Sequence, residues 1–226
     1  MNPVHETLFD LCRALKDYPD DEIIVCVILL DESASMEEFG KAPKKATLNF
    51  LKQLRISEAA SRTLVAIAAF NDSMRIMVAP TMAKDLKGIG DYCPGSCTRL
   101  YGSVNAMMLA LMIQVEKLKL RGLKVNTVFS IITDGFDQPL TPDPDETQYE
   151  LKARSELALA RGWTLNLIGI GVQASCIASE MGFPEKTALT LTGGKSDLAR
   201  SFRTIQHSMI LPKGVYMRRE PASSNN

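Results

Sequence analysis

The sequence predicts an α/β fold: a doubly wound, mostly parallel six-stranded sheet with one antiparallel edge strand and helices on both faces. Three observations carry this. Residues 23–30 and 125–132 are short apolar-rich runs free of charge, as strands buried on both faces are, and each is followed within two residues by an acid. Segments of helical periodicity alternate with further short apolar runs, the order of strand–crossover–strand units. One connection, Asn71-Asp72-Ser73, is too short for a crossover and calls for an antiparallel pair.

Taken in order, residues 4–16 place Val4, Leu8, Leu11, Cys12 and Leu15 at helical spacing, predicting an amphipathic helix ahead of the sheet. Tyr18-Pro19-Asp20-Asp21 is a turn. The first strand follows at 23–30. Pro43 opens a helix running to Arg55, with Ala46, Phe50, Leu51 and Leu54 as its buried stripe. Strands at 63–70 and 74–78 form the edge hairpin. A loop over 80–99, carrying Gly88, Gly90, Pro94 and Gly95, leads to a helix at 101–120. There Met107, Met108 and Met112 read as core filling. The fourth strand is 125–132, and an acidic, proline-rich stretch at 139–146 reads as an exposed loop. A helix at 147–161 is expected to end on Gly162. Strand 164–170, a short helix at 174–180 and a short strand at 188–191 follow. Ser196-Asp197 starts a final helix to 210, with Leu198, Phe202, Ile205 and Met209 on one face. A single domain over 1–211 and a polar tail over 212–226 are expected, with no internal repeat.

The 226 residues are 46% hydrophobic, enough for a sizeable core, and the 26 basic and 26 acidic residues cancel. Bulk electrostatics therefore points to neither a nucleic acid nor a membrane surface. No apolar run has membrane-spanning length, and no basic-apolar leader opens the sequence. Five cysteines make an odd set without a disulfide-scaffold pattern. A soluble, cytoplasmic protein is expected.

Chemistry concentrates where the first strand ends. Asp31, Ser33 and Ser35 alternate just past that strand, at the sheet edge where open α/β folds bind ligands. Oxygen side chains at that spacing suit a hard divalent cation. Thr98 stands just before a helix, and Thr133-Asp134-Gly135 ends the strand at 125–132. This set, DxSxS, then a lone Thr, then TDG on alternating strands and helices, resembles a von Willebrand factor A domain over roughly residues 23–210. Its metal-ion-dependent adhesion site corresponds to Asp31, Ser33, Ser35, Thr98 and Asp134. The resemblance implies that Ser33, Ser35 and Thr98 offer hydroxyls to Mg2+ (or Mn2+ or Ca2+), and that Asp31 and Asp134 act as acids, one or both through water. A shell of neutral hydroxyls and water leaves the cation short of negative charge, so it accepts an anion at an open position. In the family that anion is typically a carboxylate of a partner protein. Free-standing intracellular members work with AAA+ ATPases of the MoxR or chelatase kind, or in stress and defence clusters, so an adaptor or regulatory subunit is the expected role. Two departures stand out: Ala34 and Cys97 occupy positions where the family often has glycine. Glu32 reads as a solvated loop acid, and Asp137 as either support for the metal shell or a turn cap.

Two other functions stay open: a phosphate-ester hydrolase using Asp31, Asp134 and the cation, and a structural subunit with an empty site. Weaker signals fall away. The GxGxxA run from Gly169 to Ala174 follows a late strand and lacks the acid a dinucleotide site needs. A phosphoryl-transferring acid needs a second acid two residues on, where this chain has Ser33. Cys93 and Cys97 lack a matching Cys/His pair for zinc. His5 and His207 lie far from the motif in sequence and read as surface or packed histidines.

Overall fold

A computed structural model describes residues 10–139 and 148–191, together with Ile205. Six strands form one sheet: β1 (Glu22–Asp31), β2 (Thr63–Phe70), β3 (Met74–Met82), β4 (Lys124–Thr133), β5 (Thr164–Ile170) and β6 (Ala188–Leu191). Their spatial order is β3-β2-β1-β4-β5-β6. Every pairing is parallel except β2 with β3, the edge hairpin expected from the Asn71–Ser73 turn. The helices are α1 (Leu11–Ala14), α2 (Ala42–Arg55), α3 (Leu100–Leu120), α4 (Gln148–Ala160) and α5 (Ala174–Met181).

The alternation of β1 divides the core. Ile23, Val25, Val27 and Leu29 face one layer, with α1, α3, α4 and α5. Ile24, Cys26, Ile28 and Leu30 face the other, with α2 and Ile205. Both faces are therefore covered, which is why β1 is one continuous apolar run rather than an alternating one. The α3 methionines Met107, Met108 and Met112 are all buried in the first layer.

Three helices end alike. Gly122, Gly162 and Gly182 have φ of +90°, +78° and +72°. After each, the next amide reaches five residues back: Leu123 to Leu118 O, Trp163 to Ala158 O and Phe183 to Ala178 O. This closes otherwise orphaned carbonyls at the helix end, a conformation that glycine adopts without a Cβ penalty.

Several boundaries differ from expectation. β3 runs to Met82, not 78, because a register shift beside Ile67 absorbs a bulge and lets pairing resume at Val65 with Thr81. The site-bearing loop is correspondingly shorter. Of the helix expected over 4–16, the described residues hold Leu11–Ala14 as a helix; Asp10 caps it through Arg13 N, and the chain has left helical geometry at Leu15. Residues 4–9, the 140–146 part of the acidic loop, Thr147, the tail and all of the expected final helix except Ile205 lie outside the described residues. So do His5 and His207. Ile205 itself is helical and fully buried. Gly169 lies against Val172 O, where a Cβ would stand 3.0 Å away. That glycine serves strand–helix packing.

Candidate metal centre

Where β1 and β4 lie side by side, the strand order reverses. The chain leaves β1 towards β2 and β3, but leaves β4 towards β5 and β6. A crevice outside the carboxyl ends of the strands follows from that topology. Leu30 is level with Ile132, so Asp31 and Thr133 emerge together. Asp31 is the last residue of β1 rather than the first beyond it, and is fully buried.

The groups then form one connected set. Asp31 Oδ1 accepts the Ser33 amide at 2.8 Å, and Asp31 Oδ2 accepts the Thr133 hydroxyl at 2.5 Å. Both oxygens of this carboxylate are thus engaged in holding the loop. Beyond it run three oxygens in contact: Ser33 Oγ lies 3.1 Å from Ser35 Oγ, which donates to Asp134 Oδ1 at 2.9 Å. Ser33 is buried and Ser35 exposed, so the set runs from the interior to the surface. Thr98 arrives on the neighbouring loop and is nearly buried. Its main chain bridges Gln138, with Gln138 N on Thr98 O at 2.6 Å, tying its loop to the one after Asp134. Among the described residues no hydrogen bond joins the Thr98 hydroxyl to the serines or Asp134.

Electrostatics mark the two acids. Burial pushes the Asp31 carboxyl above the ordinary carboxylate range, against the bonds from Thr133 and Ser33 that favour its charged form. Asp134 is pushed up to about 6, first by burial; its bond from Ser35 opposes this, and the negative charges of Asp31 and Glu38 add to it. The Tyr92 hydroxyl donates to the Asp31 carbonyl at 2.6 Å, and burial beside these acids raises its pKa. The crevice is therefore a place where negative charge is concentrated and partly desolvated, which a cation would relieve.

The surrounding loop is laced to the motif. Ala34 N donates to Ser96 O at 2.9 Å, and Gly95 N to Glu32 O at 2.9 Å. Ser96 has φ +66°, so the turn before Thr98 is made by a left-handed serine, with Cys97 in ordinary backbone beside it. The expectation for Glu32 is overturned. It is nearly buried, 3% exposed, because its carboxylate receives two N–H groups of Arg75 and the amide of Cys93. Asp137 accepts the Tyr101 amide at 2.9 Å, which makes it a cap for the first turn of α3. Sequence reasoning also passed over Thr133; its place at the end of a strand beside the one ending in Asp31 was the available signal.

The donor set fits a hard divalent ion. Neighbouring ligands of an octahedral ion with bonds of about 2.1 Å sit roughly 3.0 Å apart. The two oxygen spacings here, 3.1 and 2.9 Å, match that edge. Among the described residues there is no group of three or more His, Cys, Asp or Glu side chains able to hold a metal ion. The oxygen set is what the fold offers.

A six-stranded, mostly parallel sheet with one antiparallel edge strand, covered on both faces, is a fold that this chain shares with solved von Willebrand factor A domains. Particular solved structures share it. The von Willebrand domain of the type V pili tip protein Mfa5 from Porphyromonas gingivalis aligns with TM-score 0.57 and 11% identity, covering 87% of this chain and 99% of that one. Proximal thread matrix protein 1 from the mussel byssus, in a structure with a zinc-occupied metal-ion-dependent adhesion site, aligns with TM-score 0.56 and 16% identity over 82% of this chain. The pilus adhesin SpaC from Lactobacillus rhamnosus GG gives TM-score 0.63 and 10% identity over 85%. The chain spans 47% of the byssus protein and 30% of SpaC. No protein-family model matches the sequence, and no curated protein matches it. Identities this low establish a shared fold.

Proposed function

We propose that this chain is a non-enzymatic interaction module that grips a carboxylate of a protein partner through a divalent cation, Mg2+ foremost, with Mn2+ or Ca2+ as alternatives. The observation that carries this reading is the run of Ser33 Oγ, Ser35 Oγ and Asp134 Oδ1 at octahedral-edge spacing. In this reading Ser33, Ser35 and Asp134 face the ion, and Thr98 completes the set from the next loop. Asp31 supports them from behind, since both its oxygens are taken. A bound ion would supply Lewis acidity toward an incoming anion; three hydroxyls and a single carboxylate leave it with unmet positive charge. An enclosed Asp31 does not present itself to a phosphate ester, which weighs against the hydrolase alternative.

Residues 1–211 are taken as one domain and 212–226 as its tail. A cytoplasmic adaptor role, in an assembly such as those of AAA+ ATPases, is the setting we favour. Cys93 and Cys176 are exposed free thiols, and Cys12, Cys26 and Cys97 are free as well, which suits a reducing compartment. The named structural neighbours are pilus and byssus proteins, so compartment is a point on which this chain is proposed to differ. Among the described residues no helix is long and apolar enough to cross a membrane.

Calorimetric titration with Mg2+ tests the site. The wild type is expected to bind, and Ser35→Ala and Asp134→Asn to bind more than tenfold more weakly, with unfolding midpoints in chelator close to wild type. Equal Mg2+ affinity in all three refutes the assignment. Affinity capture from the native host with Mg2+ and with chelator then tests the partner: recovery that depends on Mg2+ is expected.

A further inference from the structure

The second residue of the DxSxS motif is the most heavily bonded acid near the site, and it touches none of the oxygens proposed for the cation. Glu32 N donates to Phe70 O at 2.7 Å, and Glu32 O accepts Gly95 N at 2.9 Å. Its carboxylate accepts Arg75 Nε on Oε2 at 3.0 Å, and Arg75 Nη2 and the Cys93 amide on Oε1. The same Arg75 Nη2 donates to the Asp91 carbonyl. Glu32 is 4% exposed at its side chain and Arg75 is 43% exposed, so the acid is interior and its partner reaches in from the edge strand β3. Asn71, at the β2–β3 turn, adds two more ties: its side chain donates to Gly95 O at 3.2 Å, and its carbonyl accepts Arg99 N at 2.8 Å. The segment 91–99, which delivers Thr98, is thereby held to the metal loop and the edge hairpin at residues 91, 93, 95 and 99.

We infer that the Glu32–Arg75 pair is a positioning device for the metal centre: it fixes the Thr98 loop against the Ser33–Ser35 loop, so that β3 sets the site's geometry from the far side of β2, about two strand spacings from β1. A bidentate arginine pair resists rotation as well as displacement. That stiffness suits a loop whose turn is made by the strained Ser96 rather than by a glycine. The inference rests on the metal-site reading, and the experiment separates the two.

Mg2+ affinity is measured by calorimetry for the wild type, Glu32→Gln, Arg75→Met, the double variant and Arg75→Lys, each with its unfolding midpoint in chelator. A positioning role predicts at least tenfold weaker binding in both single variants and in the double variant. Arg75→Lys keeps the charge without the fork and is expected to fall between wild type and Arg75→Met. A purely electrostatic role predicts otherwise: removing the arginine strengthens cation binding, and the charge-balanced double variant binds like wild type. Either of those results overturns the inference. If Arg75→Met shows no cooperative transition, Arg75→Lys decides, because wild-type affinity in that variant also overturns it. Amide hydrogen exchange in chelator reads the loop independently of any metal. Faster exchange at Gly95 and Arg99 in Glu32→Gln is expected; unchanged exchange refutes the restraint. A wild type that binds no Mg2+ refutes the metal-site reading, while this exchange result still judges the loop restraint.

Discussion

Thr133→Val isolates the bond that keeps Asp31 in place. The two side chains are nearly the same size, so the fully buried position is refilled without a cavity. What disappears is the 2.5 Å hydroxyl donation to a buried carboxylate. Bonds to charged groups are worth about 1.5–3 kcal/mol, and a buried acceptor left without its donor forfeits that amount. The Gly135 amide on Thr133 Oγ1 at 3.2 Å is lost too, but it lies at the loop, where water substitutes. For a chain of this size the loss corresponds to a fall in unfolding midpoint of about 3–12 °C, read by calorimetry in chelator. The pH dependence gives a second handle. Burial raises the folded-state pKa of Asp31, so the folded protein holds that proton more tightly than the unfolded chain. Its ionisation therefore costs stability as pH rises through the folded value, and costs nothing below the ordinary carboxylate range. Removing the Thr133 hydroxyl raises the folded value further. The deficit should grow as pH rises and shrink on acidification, while Thr133→Ser, which keeps the hydroxyl, should lack the pH-dependent part. A Thr133→Val midpoint within 1 °C of wild type at neutral pH would refute the view that Asp31 is held by Thr133; that threshold is roughly the size of a neutral surface change.

Three further outcomes are expected. Because Asp134 is pushed up to about 6, Mg2+ must displace its proton in acid; affinity should be level above neutrality and fall about tenfold per pH unit below pH 6, and a flat calorimetric profile down to about pH 5 would count against Asp134 as a ligand. Gly122→Ala meets open space and should cost about 1–2 kcal/mol for its left-handed backbone. Gly182→Ala should cost more, because its Cβ would stand 3.1 Å from the Lys152 carbonyl, and equal urea midpoints for the two variants would refute the packing argument. Among the described residues Thr127 Oγ1 is buried without a partner, so Thr127→Val should stabilise by about 1 kcal/mol in chemical denaturation; a destabilised variant would reveal a bond to that hydroxyl.

The strands and the large helices were legible because both periodicities are strong here. β1 is apolar at every interior position, α2 carries its stripe at Ala46, Phe50, Leu51 and Leu54, and the hairpin turn leaves no room for a crossover. The grouping of Ser33, Ser35 and Asp134 was legible too, since parallel neighbouring strands bring their carboxyl ends to one edge. What escaped were properties set by partners distant in sequence. Glu32 looks solvated until Arg75, 43 positions away, is placed beside it. Asp137 reads as either shell support or a cap until the α3 N-terminus, 36 positions before it, is placed beside it. The extension of β3 to Met82 depends on a bulge that no alternation of residues announces. Asp31 sits inside the strand because its bonds to Ser33 N and Thr133 satisfy it there; by composition alone an acid ends a buried run.

The placement of β1 between β2 and β4 has a consequence during synthesis. β2 follows β1 closely, but Thr133 lies 102 positions after Asp31, and translation at about 5–20 residues per second separates them by roughly 5–20 s. Throughout that interval one flank of β1, apolar from Ile23 to Leu30, has its hydrogen-bonding edge open and no β4 to close it. An open, apolar strand edge of that kind is a template for pairing with other chains until β4 covers it. A synonymous-codon variant slowed between α3 and β4 would yield the same polypeptide with a larger aggregated share.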